Sequence, residues 1–584
     1  MTPSDLPIDS RNANALWASV LVETLSRRGV RHAVISPGSR SAPLTVALAA
    51  HPEIAAEPVL DERSAAFFAL GMAKRLGQPV ALVCTSGTAA ANFFPAVIEA
   101  RESAVPLLVL TADRPPELRA CGSGQTIDQQ KLFGDHAVFF HELALPGLTL
   151  DLLRYLRQTV AHAVARAVGP MAGAVHLNVP FRDPLAPVED GGAAAAFAHD
   201  IDWHSFFSQL APPESRLVAG EPPRLVADSH GVIVVGPQLP GDREAAITAV
   251  ADIARRLGWP VLADALSPVR SRSMEVPHLV TTYDAVLRHA ASAERLKPEA
   301  VLCLGGWPTS KVLRAWIEGS EARVWMAAER SDNRDALHGR TVHLGASLTA
   351  LAATLPAVAE EGNGYERMWA RCEEKVRPAI DQRFLTEKAF FEPKIAWLLA
   401  RHLPPHTPLF VANSMPARDV EYVWPANTRA VQPYSNRGAN GIDGTLSTAL
   451  GVAHVAHQPA ALLTGDLALL HDSNGFLLRS RLQGSLTIVL VNNRGGGIFE
   501  HLPIAGFEPP FEDYFATPQE IDFEKLCAAH GVAHTLVKDW PQFRALIGEL
   551  PQTGIRVLEV RTDRKADAAM RKAWFAELAA LLGP

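Results

Sequence analysis

Short apolar runs alternate with helical patterns along most of the chain. Leu16, Val20 and Leu25 recur at helical spacing within residues 11–29, and a strand-like run follows at 32–35. The strands are continuously apolar rather than alternating, which indicates parallel sheets covered by helices on both faces. The same pattern predicts a helix at 63–76 and strands at 80–84, 106–110 and 174–179.

Two stretches interrupt this alternation and divide the chain into three α/β domains. Residues 188–225 are rich in Gly, Ala and Pro, and residues 361–385 are polar and charged, so we interpret both as linkers. The predicted domains are therefore 1–187, 226–360 and 386–584, each built on a parallel sheet. The later elements are predicted as strand 231–235, helix 242–257, strands 260–263, 300–304 and 323–327, helix 388–402, strands 408–412, 461–464, 486–492 and 555–560, and a helix near 565–582.

The composition is that of an ordinary globular enzyme. Among 584 residues, 55 are basic and 62 acidic, which gives a net charge of −7, and 48% are hydrophobic. No basic block favours a nucleic-acid partner, and no apolar run approaches the roughly 18 residues of a membrane span. The five cysteines form no Cys-x-x-Cys pair, and the N-terminus has no signal-peptide pattern. We therefore expect a cytoplasmic protein that binds neither nucleic acid nor membrane.

The strongest local motif follows two strands of the third domain. Strand 461–464 runs towards Asp466, and strand 486–492 is followed by Asn493 and by three glycines at 495–497. Ligands bind at the carboxyl edge of an open parallel sheet, where a carboxylate and an amide oxygen suit Mg²⁺. The glycines allow a diphosphate to approach the backbone. Taken separately, Asp466 is better explained as a helix cap and Asn493 as part of a turn.

Together, these positions resemble the diphosphate-anchoring motif of thiamine-diphosphate enzymes. The family form is Gly-Asp-Gly followed by Asn-Asn, and Leu467 departs from its third position. The resemblance implies Mg²⁺ or Mn²⁺ held by Asp466, Asn493 and Gly495, and a thiamine diphosphate that also contacts Leu467 and Gly496. It makes the three domains, in order, pyrimidine-binding, central Rossmann-like and diphosphate-binding.

A second feature of this family is present in the first domain. An acid must hydrogen-bond the aminopyrimidine of the cofactor so that the cofactor can act as its own base, and apolar surroundings favour the protonated acid. Glu62, which heads a predicted helix, matches that catalytic acid, and Thr85-Ser86-Gly87 resembles the loop beside the pyrimidine. Ile442 matches the apolar residue that holds the cofactor bent. Without the resemblance, Glu62 would be a helix-dipole partner and Ile442 a core residue.

Further motifs narrow the resemblance to one family. Ser-Pro-Gly-Ser-Arg-Ser at 36–41, Thr-Ala-Asp-Arg-Pro-Pro-Glu-Leu at 111–118, Tyr-Ser-Asn-Arg-Gly at 434–438 and Ile-Phe at 498–499 resemble the 2-succinyl-5-enolpyruvyl-6-hydroxy-3-cyclohexene-1-carboxylate synthases of menaquinone biosynthesis. The resemblance covers nearly the whole chain and is weakest at 188–385. It implies a transferase that decarboxylates 2-oxoglutarate and adds the succinyl carbanion equivalent to isochorismate.

Both implied substrates are dicarboxylates, and arginine is the side chain best shaped to clamp a carboxylate. Gly124 and Val312 depart from the family at positions that face isochorismate. The residues implied by motif position are Ser414, Arg418 and Arg437 for 2-oxoglutarate, Ser39, Arg40, Arg114, Gln125 and Lys311 for isochorismate, and Ile498, Phe499 and Leu502 for an apolar wall beside the cofactor.

Two alternatives remain open. A decarboxylase or carboligase of the acetolactate-synthase type would share Glu62, Asp466 and Asn493 without needing the cationic set, and a cofactor-free scaffold would keep only the fold. A Rossmann dehydrogenase is disfavoured because no strand is followed by Gly-x-Gly-x-x-Gly. In the resembling family the pyrimidine-binding domain of one subunit meets the diphosphate-binding domain of another, which implies a homodimer at least, and a homotetramer is common.

Overall fold

The computed structural model describes residues 6–210, 230–237, 239, 242–328, 333–338, 341–355 and 364–583. Parts of the predicted linker 188–225, of the central domain 226–360 and of the linker 361–385 lie outside the described residues. Among the described helices, none combines the length and the apolarity that a membrane crossing requires.

The first sheet consists of six parallel strands. They are β1 His32–Ile35, β2 Ala55–Pro58, β3 Val80–Cys84, β4 Leu107–Asp113, β5 Phe139–Glu142 and β6 Ala174–Pro180. Their order is β2-β1-β3-β4-β6-β5, and β3, β4 and β6 are buried along their whole length. The α-helices of this part are α1 Ala13–Arg27, α2 Ala42–Ala50, α3 Glu62–Leu76, α4 Thr88–Ala91, α5 Phe94–Ser103, α6 Leu150–Val168, α7 Ala193–His199 and α8 Trp203–Ser208.

The second sheet has the strand order of a Rossmann fold. Its strands are β7 Gly231–Val235, β8 Val261–Ala263, β9 Leu279–Val280, β10 Ala300–Leu304, β11 Arg323–Ala327 and β12 Thr341–Leu344. The order β12-β11-β10-β7-β8-β9 is the 3-2-1-4-5-6 arrangement read from the other edge. The α-helices of this part are α9 Arg243–Leu257, α10 Tyr283–Leu287, α11 Ala290–Arg295, α12 Lys311–Gly319, α13 Leu348–Thr354 and α14 Gly364–Thr386.

The third sheet repeats the strand order of the first. Its strands are β13 Pro408–Val411, β14 Gln432–Tyr434, β15 Pro459–Gly465, β16 Ser485–Asn492, β17 Ala533–Leu536 and β18 Gly554–Arg561, in the order β14-β13-β15-β16-β18-β17. The fold class predicted from the sequence, three parallel-sheet α/β domains, is therefore confirmed. The α-helices of this part are α15 Glu392–His402, α16 Met415–Val423, α17 Thr445–Ala456, α18 Asp466–His471, α19 Phe523–Ala529, α20 Trp540–Gly548 and α21 Arg564–Ala580.

The chain divides into two compact units. The first comprises Met1–Arg216 together with Asn436–Val455 and Asn474–Arg481. The second comprises Leu217–Ser435, Ala456–Ser473 and Leu482–Pro584, and contains the second and third sheets. Helix α17 and the loop before it therefore pack in the first unit, although the strands on either side of them in the chain belong to the second.

Two glycines allow helices α3 and α17 to lie in backbone contact within the first unit. A Cβ at Gly71 would lie 2.0 Å from the carbonyl oxygen of Thr448, and a Cβ at Gly451 would lie 2.1 Å from that of Phe68. Helix α3 begins at its N-cap Asp61 and ends at Gly77, which adopts φ +64°. This packing fixes helix α3, whose first residue is Glu62, against the helix that follows Ile442.

Helices occupy described parts of both stretches that we interpreted as linkers. Residues 364–385 belong to α14, a helix of 23 residues whose apolar face is buried. Part of 188–225 forms α7 and α8, which carry the buried Phe206 and Phe207. In both stretches the polar or Ala- and Gly-rich composition conceals a narrow apolar face, and burial of that face is sufficient to hold a helix. The buried residues of α14 are Tyr365, Trp369, Cys372, Val376, Ile380 and Phe384.

Candidate functional site

Asp466 begins helix α18 immediately after strand β15. Strands β15 and β16 are parallel neighbours with Gly465 opposite Val491, so the residues that follow the two strands meet at one edge of the sheet. Asp466 Oδ1 accepts from the backbone N–H of Leu467 at 2.8 Å, and Oδ2 accepts from that of Gly495 at 2.8 Å. The structure thus brings Asp466 together with the glycine-rich segment.

Asp466 is only 5% exposed. Burial raises its pKa to about 6, while the surrounding backbone N–H groups act in the opposite direction and favour the charged form. An ionised carboxylate withdrawn from water is stabilised by a nearby cation. The surroundings of Asp466 therefore suit a metal ligand.

Asn493 follows strand β16 and is 8% exposed. Its Nδ2 donates to Oε1 of Glu392 at 2.8 Å, whereas its buried Oδ1 has no hydrogen-bond partner among the described residues. A buried acceptor left unpaired costs about 1–3 kcal/mol. A divalent cation at this edge of the sheet would supply the missing partner, so the donor set fits the ion that the sequence motif implies.

The glycines after Asn493 are required by the path of the backbone. Gly495 has φ +133°, and a Cβ there would lie 2.3 Å from the carbonyl oxygen of Ala516. At Gly496 a Cβ would lie 2.7 Å from the carbonyl oxygen of Phe515. The neighbouring main chain therefore excludes a side chain at both positions.

The three residues predicted to form an apolar wall come soon after these glycines in the chain. Ile498 and Phe499 are half-buried on a short helical segment, Gly497–His501. The ring of Phe499 packs edge-on against Phe515, with centroids 5.8 Å apart. Leu502 is 39% exposed and leaves apolar surface available beside them.

Arg418 lies on helix α16, after strand β13. Its guanidinium donates to the carbonyl oxygen of Ser414 at 2.8 Å, and Ser414 has φ +70°. Burial lowers the pKa of Arg418, and repulsion from Arg314 acts in the same direction. Lys311 is exposed at the start of α12, one helical turn before Arg314. Arg314, which the sequence analysis did not single out, therefore lies within electrostatic reach of Arg418.

In the first sheet, the strands β2, β1, β3 and β4 are successive neighbours, so the loops after them share one edge. Glu62 heads α3 after β2 and is half-buried. Burial, together with the charge of Glu62, raises the pKa of the Cys84 thiol at the end of β3, so the two side chains are close. The preceding residue, Asp61, accepts from Asn474 Nδ2 at 2.7 Å, which ties the start of the helix to the segment 474–481.

The predicted isochorismate residues of this unit surround the loop after β3. Gln125 Nε2 donates to the carbonyl oxygen of Ser86 at 2.9 Å, and the Arg114 guanidinium donates to the Ser86 hydroxyl. Burial lowers the pKa of Arg40, and repulsion from the nearby Arg114 adds to this effect. Ser39 precedes Arg40 and is exposed. Two arginines held this close are suited to an anionic ligand.

Arg437 and Ile442 lie half-buried on the loop before α17. Glu99 binds this loop through two hydrogen bonds, in which Gly438 N donates to Oε1 at 3.1 Å and Ala439 N donates to Oε2 at 2.7 Å. The buried carboxylate of Glu99 therefore fixes the backbone that presents both predicted site residues.

Sequence reasoning missed the side chains that support these groups. Glu392 accepts from Asn493, Glu99 holds the 436–444 loop, and Gln129 Oε1 accepts from the backbone N–H of Gly87 at 2.8 Å. In each pair the partners are far apart in sequence, so no local pattern could have identified them.

The chain matches three protein families in order. Residues 17–132 match "Thiamine pyrophosphate enzyme, N-terminal TPP binding domain", residues 207–411 match "Middle domain of thiamine pyrophosphate", and residues 420–560 match "Thiamine pyrophosphate enzyme, C-terminal TPP binding domain". The domain types that the motifs imply are therefore confirmed.

Several known relatives carry one name, 2-succinyl-5-enolpyruvyl-6-hydroxy-3-cyclohexene-1-carboxylate synthase. That of Gloeothece citriformis (strain PCC 7424) is 51% identical over 97% of this chain and 98% of its own length. The protein from Synechococcus sp. (strain JA-3-3Ab) is 52% identical over 97% of each chain. The protein from Microcystis aeruginosa (strain NIES-843 / IAM M-2473) is 50% identical over 98% of this chain and 99% of its own. Identity at this level over whole chains means that this protein belongs to the family of thiamine pyrophosphate-dependent 2-succinyl-5-enolpyruvyl-6-hydroxy-3-cyclohexene-1-carboxylate synthases.

Proposed function

We propose that this protein decarboxylates 2-oxoglutarate and transfers the resulting succinyl unit to isochorismate by conjugate addition, forming 2-succinyl-5-enolpyruvyl-6-hydroxy-3-cyclohexene-1-carboxylate for menaquinone biosynthesis. One observation carries the proposal. Relatives of that name are 50–52% identical to this protein over 97–98% of its chain. The cationic side chains at the predicted substrate positions add support, because the two substrates are dicarboxylates.

Thiamine diphosphate, when bound, supplies a nucleophilic carbon and an electron sink for decarboxylation. We assign the metal that anchors it, Mg²⁺ or Mn²⁺, to Asp466 Oδ2, Asn493 Oδ1 and the carbonyl oxygen of Gly495. The unpartnered Oδ1 and the close-packed glycines support this assignment. Leu467 and Gly496 directly follow Asp466 and Gly495 in the chain, and they would contact the diphosphate.

Glu62 is the proposed catalytic acid. It would hold a proton on one carboxyl oxygen and donate it in a hydrogen bond to the pyrimidine ring nitrogen. Ile442, on the loop that Glu99 fixes, would support the bent shape of the cofactor. Ile498, Phe499 and Leu502 would exclude water from the reacting carbon, which favours loss of CO₂.

The substrate contacts divide between two groups of side chains. Arg418, Arg437 and Ser414 would bind the distal carboxylate derived from 2-oxoglutarate by charge-assisted hydrogen bonds. Isochorismate would lie against Ser39, Arg40, Arg114, Gln125 and Lys311. We further propose that the enzyme is cytoplasmic. It would form at least a homodimer, and two such dimers would form a homotetramer.

The test is an assay of the purified full chain with thiamine diphosphate, Mg²⁺ and 2-oxoglutarate, with and without isochorismate. We expect cofactor-dependent loss of isochorismate and little turnover of 2-oxoglutarate in its absence. Aldehyde release that is indifferent to isochorismate would instead favour an acetolactate-synthase-type carboligase. Absence of thiamine diphosphate binding by calorimetry would favour a scaffold.

Replacing the proposed acid tests its role separately. Glu62→Gln can still donate a hydrogen bond but has no acidic proton to share with the ring nitrogen, and it should lower turnover about 10²- to 10⁴-fold, the usual contribution of general acid–base catalysis. Cofactor affinity should stay close to that of the unmodified chain, because the proposed diphosphate anchor lies elsewhere. Glu53→Gln, a change at an exposed acid of the same unit, is the matched control and should leave turnover unaffected. An unchanged rate in Glu62→Gln would refute the assignment.

A further inference from the structure

We propose that Glu392 is a positioning residue that orients the side-chain amide of Asn493, so that Oδ1 rather than Nδ2 faces the divalent cation. The inference rests on the proposed function, since it concerns the ligand set of the metal site. Glu392 would act entirely through Asn493 and would touch neither cofactor nor substrate.

The contacts of the Glu392 carboxyl group determine which end of the amide faces it. Oε1 accepts from Asn493 Nδ2 at 2.8 Å and from the Thr562 hydroxyl at 3.0 Å. Oε2 lies 3.5 Å from the Arg571 guanidinium. With two donors directed at it, Oε1 must act as an acceptor, and only the NH₂ end of an amide can donate. Asn493 Oδ1 is therefore turned away from Glu392.

Three helices hold Glu392 in this orientation. Glu392 is 3% exposed, and its backbone N–H, at the start of α15, donates to Asp567 Oδ1 of α21 at 2.9 Å. Arg571, also on α21, bonds both Asp567 and Asp419, and Asp419 lies on α16. Because this cluster is buried, Glu392 cannot turn away from Asn493 without leaving Arg571 short of one carboxylate.

The amide is bound at one end and open at the other. A Cβ at Gly497 would lie 2.7 Å from Asn493 Nδ2, so the absence of a side chain at Gly497 makes room for the bonded end. Oδ1 is buried without a partner among the described residues. An amide that is held at its NH₂ end and keeps a buried oxygen open has the arrangement expected of a ligand held ready for a cation.

The identity of the partner at position 392 should therefore control metal affinity. In Glu392→Gln, Arg571 attracts the new carbonyl oxygen, which leaves the new NH₂ group facing Asn493. Two NH₂ groups cannot bond each other, so the Asn493 amide should rotate and present a donor to the cation. Adding Asn493→Asp restores a donor–acceptor pair, because a carboxylate accepts from the NH₂ at 392 and still offers an oxygen to the metal.

The experiment measures Mn²⁺ binding to the full chain in the presence of thiamine diphosphate, by the loss of the free-ion EPR signal. Glu392→Gln should bind Mn²⁺ about 10- to 100-fold more weakly than the unmodified chain, the usual effect of removing a partner of a metal ligand. The double change Glu392→Gln with Asn493→Asp should recover most of that loss. Thr562→Val removes the other bond to Oε1 and should change affinity less than about threefold. Each change nearly conserves side-chain shape, and metal-free thermal midpoints verify folding.

Three results would overturn the inference. Unchanged Mn²⁺ affinity in Glu392→Gln would mean that Glu392 does not orient the ligand. An equal loss in the single and double variants would mean a merely structural effect. Absence of Mn²⁺ binding by the unmodified chain would refute the proposed metal-dependent function together with the inference, and is recognisable because it precedes any substitution.

Discussion

Gly71 lies where helix α3 touches the backbone of α17, and replacing it with alanine should force these helices apart. The new Cβ would lie 2.0 Å from the carbonyl oxygen of Thr448 and 2.9 Å from its carbonyl carbon, whereas ordinary contacts begin at 3.4 Å. The obstacle is main chain, so no side-chain rotation can relieve it. The helices must separate by about 1.4 Å along this contact.

Two opposing effects set the size of the change. Alanine is favoured over glycine inside a helix by about 1 kcal/mol. Overpacking costs about 1–3 kcal/mol, and an obstacle made of the α17 main chain places Gly71→Ala at the upper end. The net expected destabilisation is about 2 kcal/mol, which corresponds to a fall of roughly 4–8 °C in the thermal midpoint of a unit of 150–250 residues.

Scanning calorimetry of the full chain measures this shift, with Gly319→Ala as the matched control. Gly319 ends helix α12, and a Cβ there meets no atom within 4 Å, so its midpoint should not fall. Because α3 begins at Glu62 and α17 follows the Ile442 loop, Gly71→Ala should also reduce turnover at temperatures where the protein remains folded. A midpoint within 1 °C of the unmodified chain would refute the packing argument.

Three further predictions concern single groups. Asp466→Ala should abolish the metal-dependent part of thiamine diphosphate affinity, and a calorimetric titration with the unmodified midpoint would exclude Asp466 as a ligand. Arg418→Ala should raise the 2-oxoglutarate concentration needed for half-maximal rate by about thirtyfold or more, because loss of a buried charge pair costs about 2–5 kcal/mol; equal KM values would exclude the clamp. Burial lowers the pKa of His176 to about 3, and its Nδ1 has no hydrogen-bond partner among the described residues. The neutral side chain therefore contributes its full stabilisation above the unfolded pKa of 6.5. That stabilisation is lost progressively as the pH falls from 6.5 towards 3. By pH 5 the loss is about 2 kcal/mol. In His176→Gln the acid sensitivity of unfolding between pH 7 and pH 5 should shrink by that amount, and an unchanged pH profile would contradict it.

The twelve strands predicted from the sequence are all found, and the six further strands of the described residues are the edge strands of the three sheets. Interior strands of a parallel sheet are buried on both faces, so their sequences form continuous apolar runs. Edge strands lack this signature, as in β17, where Ala533 and Leu536 are exposed, and β12, where Val342 is exposed.

The sequence was also sufficient to locate polar groups at the ends of strands. Asp466, Asn493 and the glycines after it stand at fixed places relative to apolar runs, and parallel strands necessarily bring such positions to one edge. Helix α14 shows the opposite case. Its apolar residues recur at helical spacing, but its charged composition led us to interpret the stretch as a linker and not to predict a helix there.

Only the tertiary structure decided which groups support the site. The contact between Glu392 and Asn493 spans 101 positions, and that between Glu99 and Ala439 spans 340. Such pairs arise when separate elements pack together, and a residue's own neighbours in the chain carry no record of them. Local sequence determines which groups can do chemistry, and packing determines how each of them is oriented.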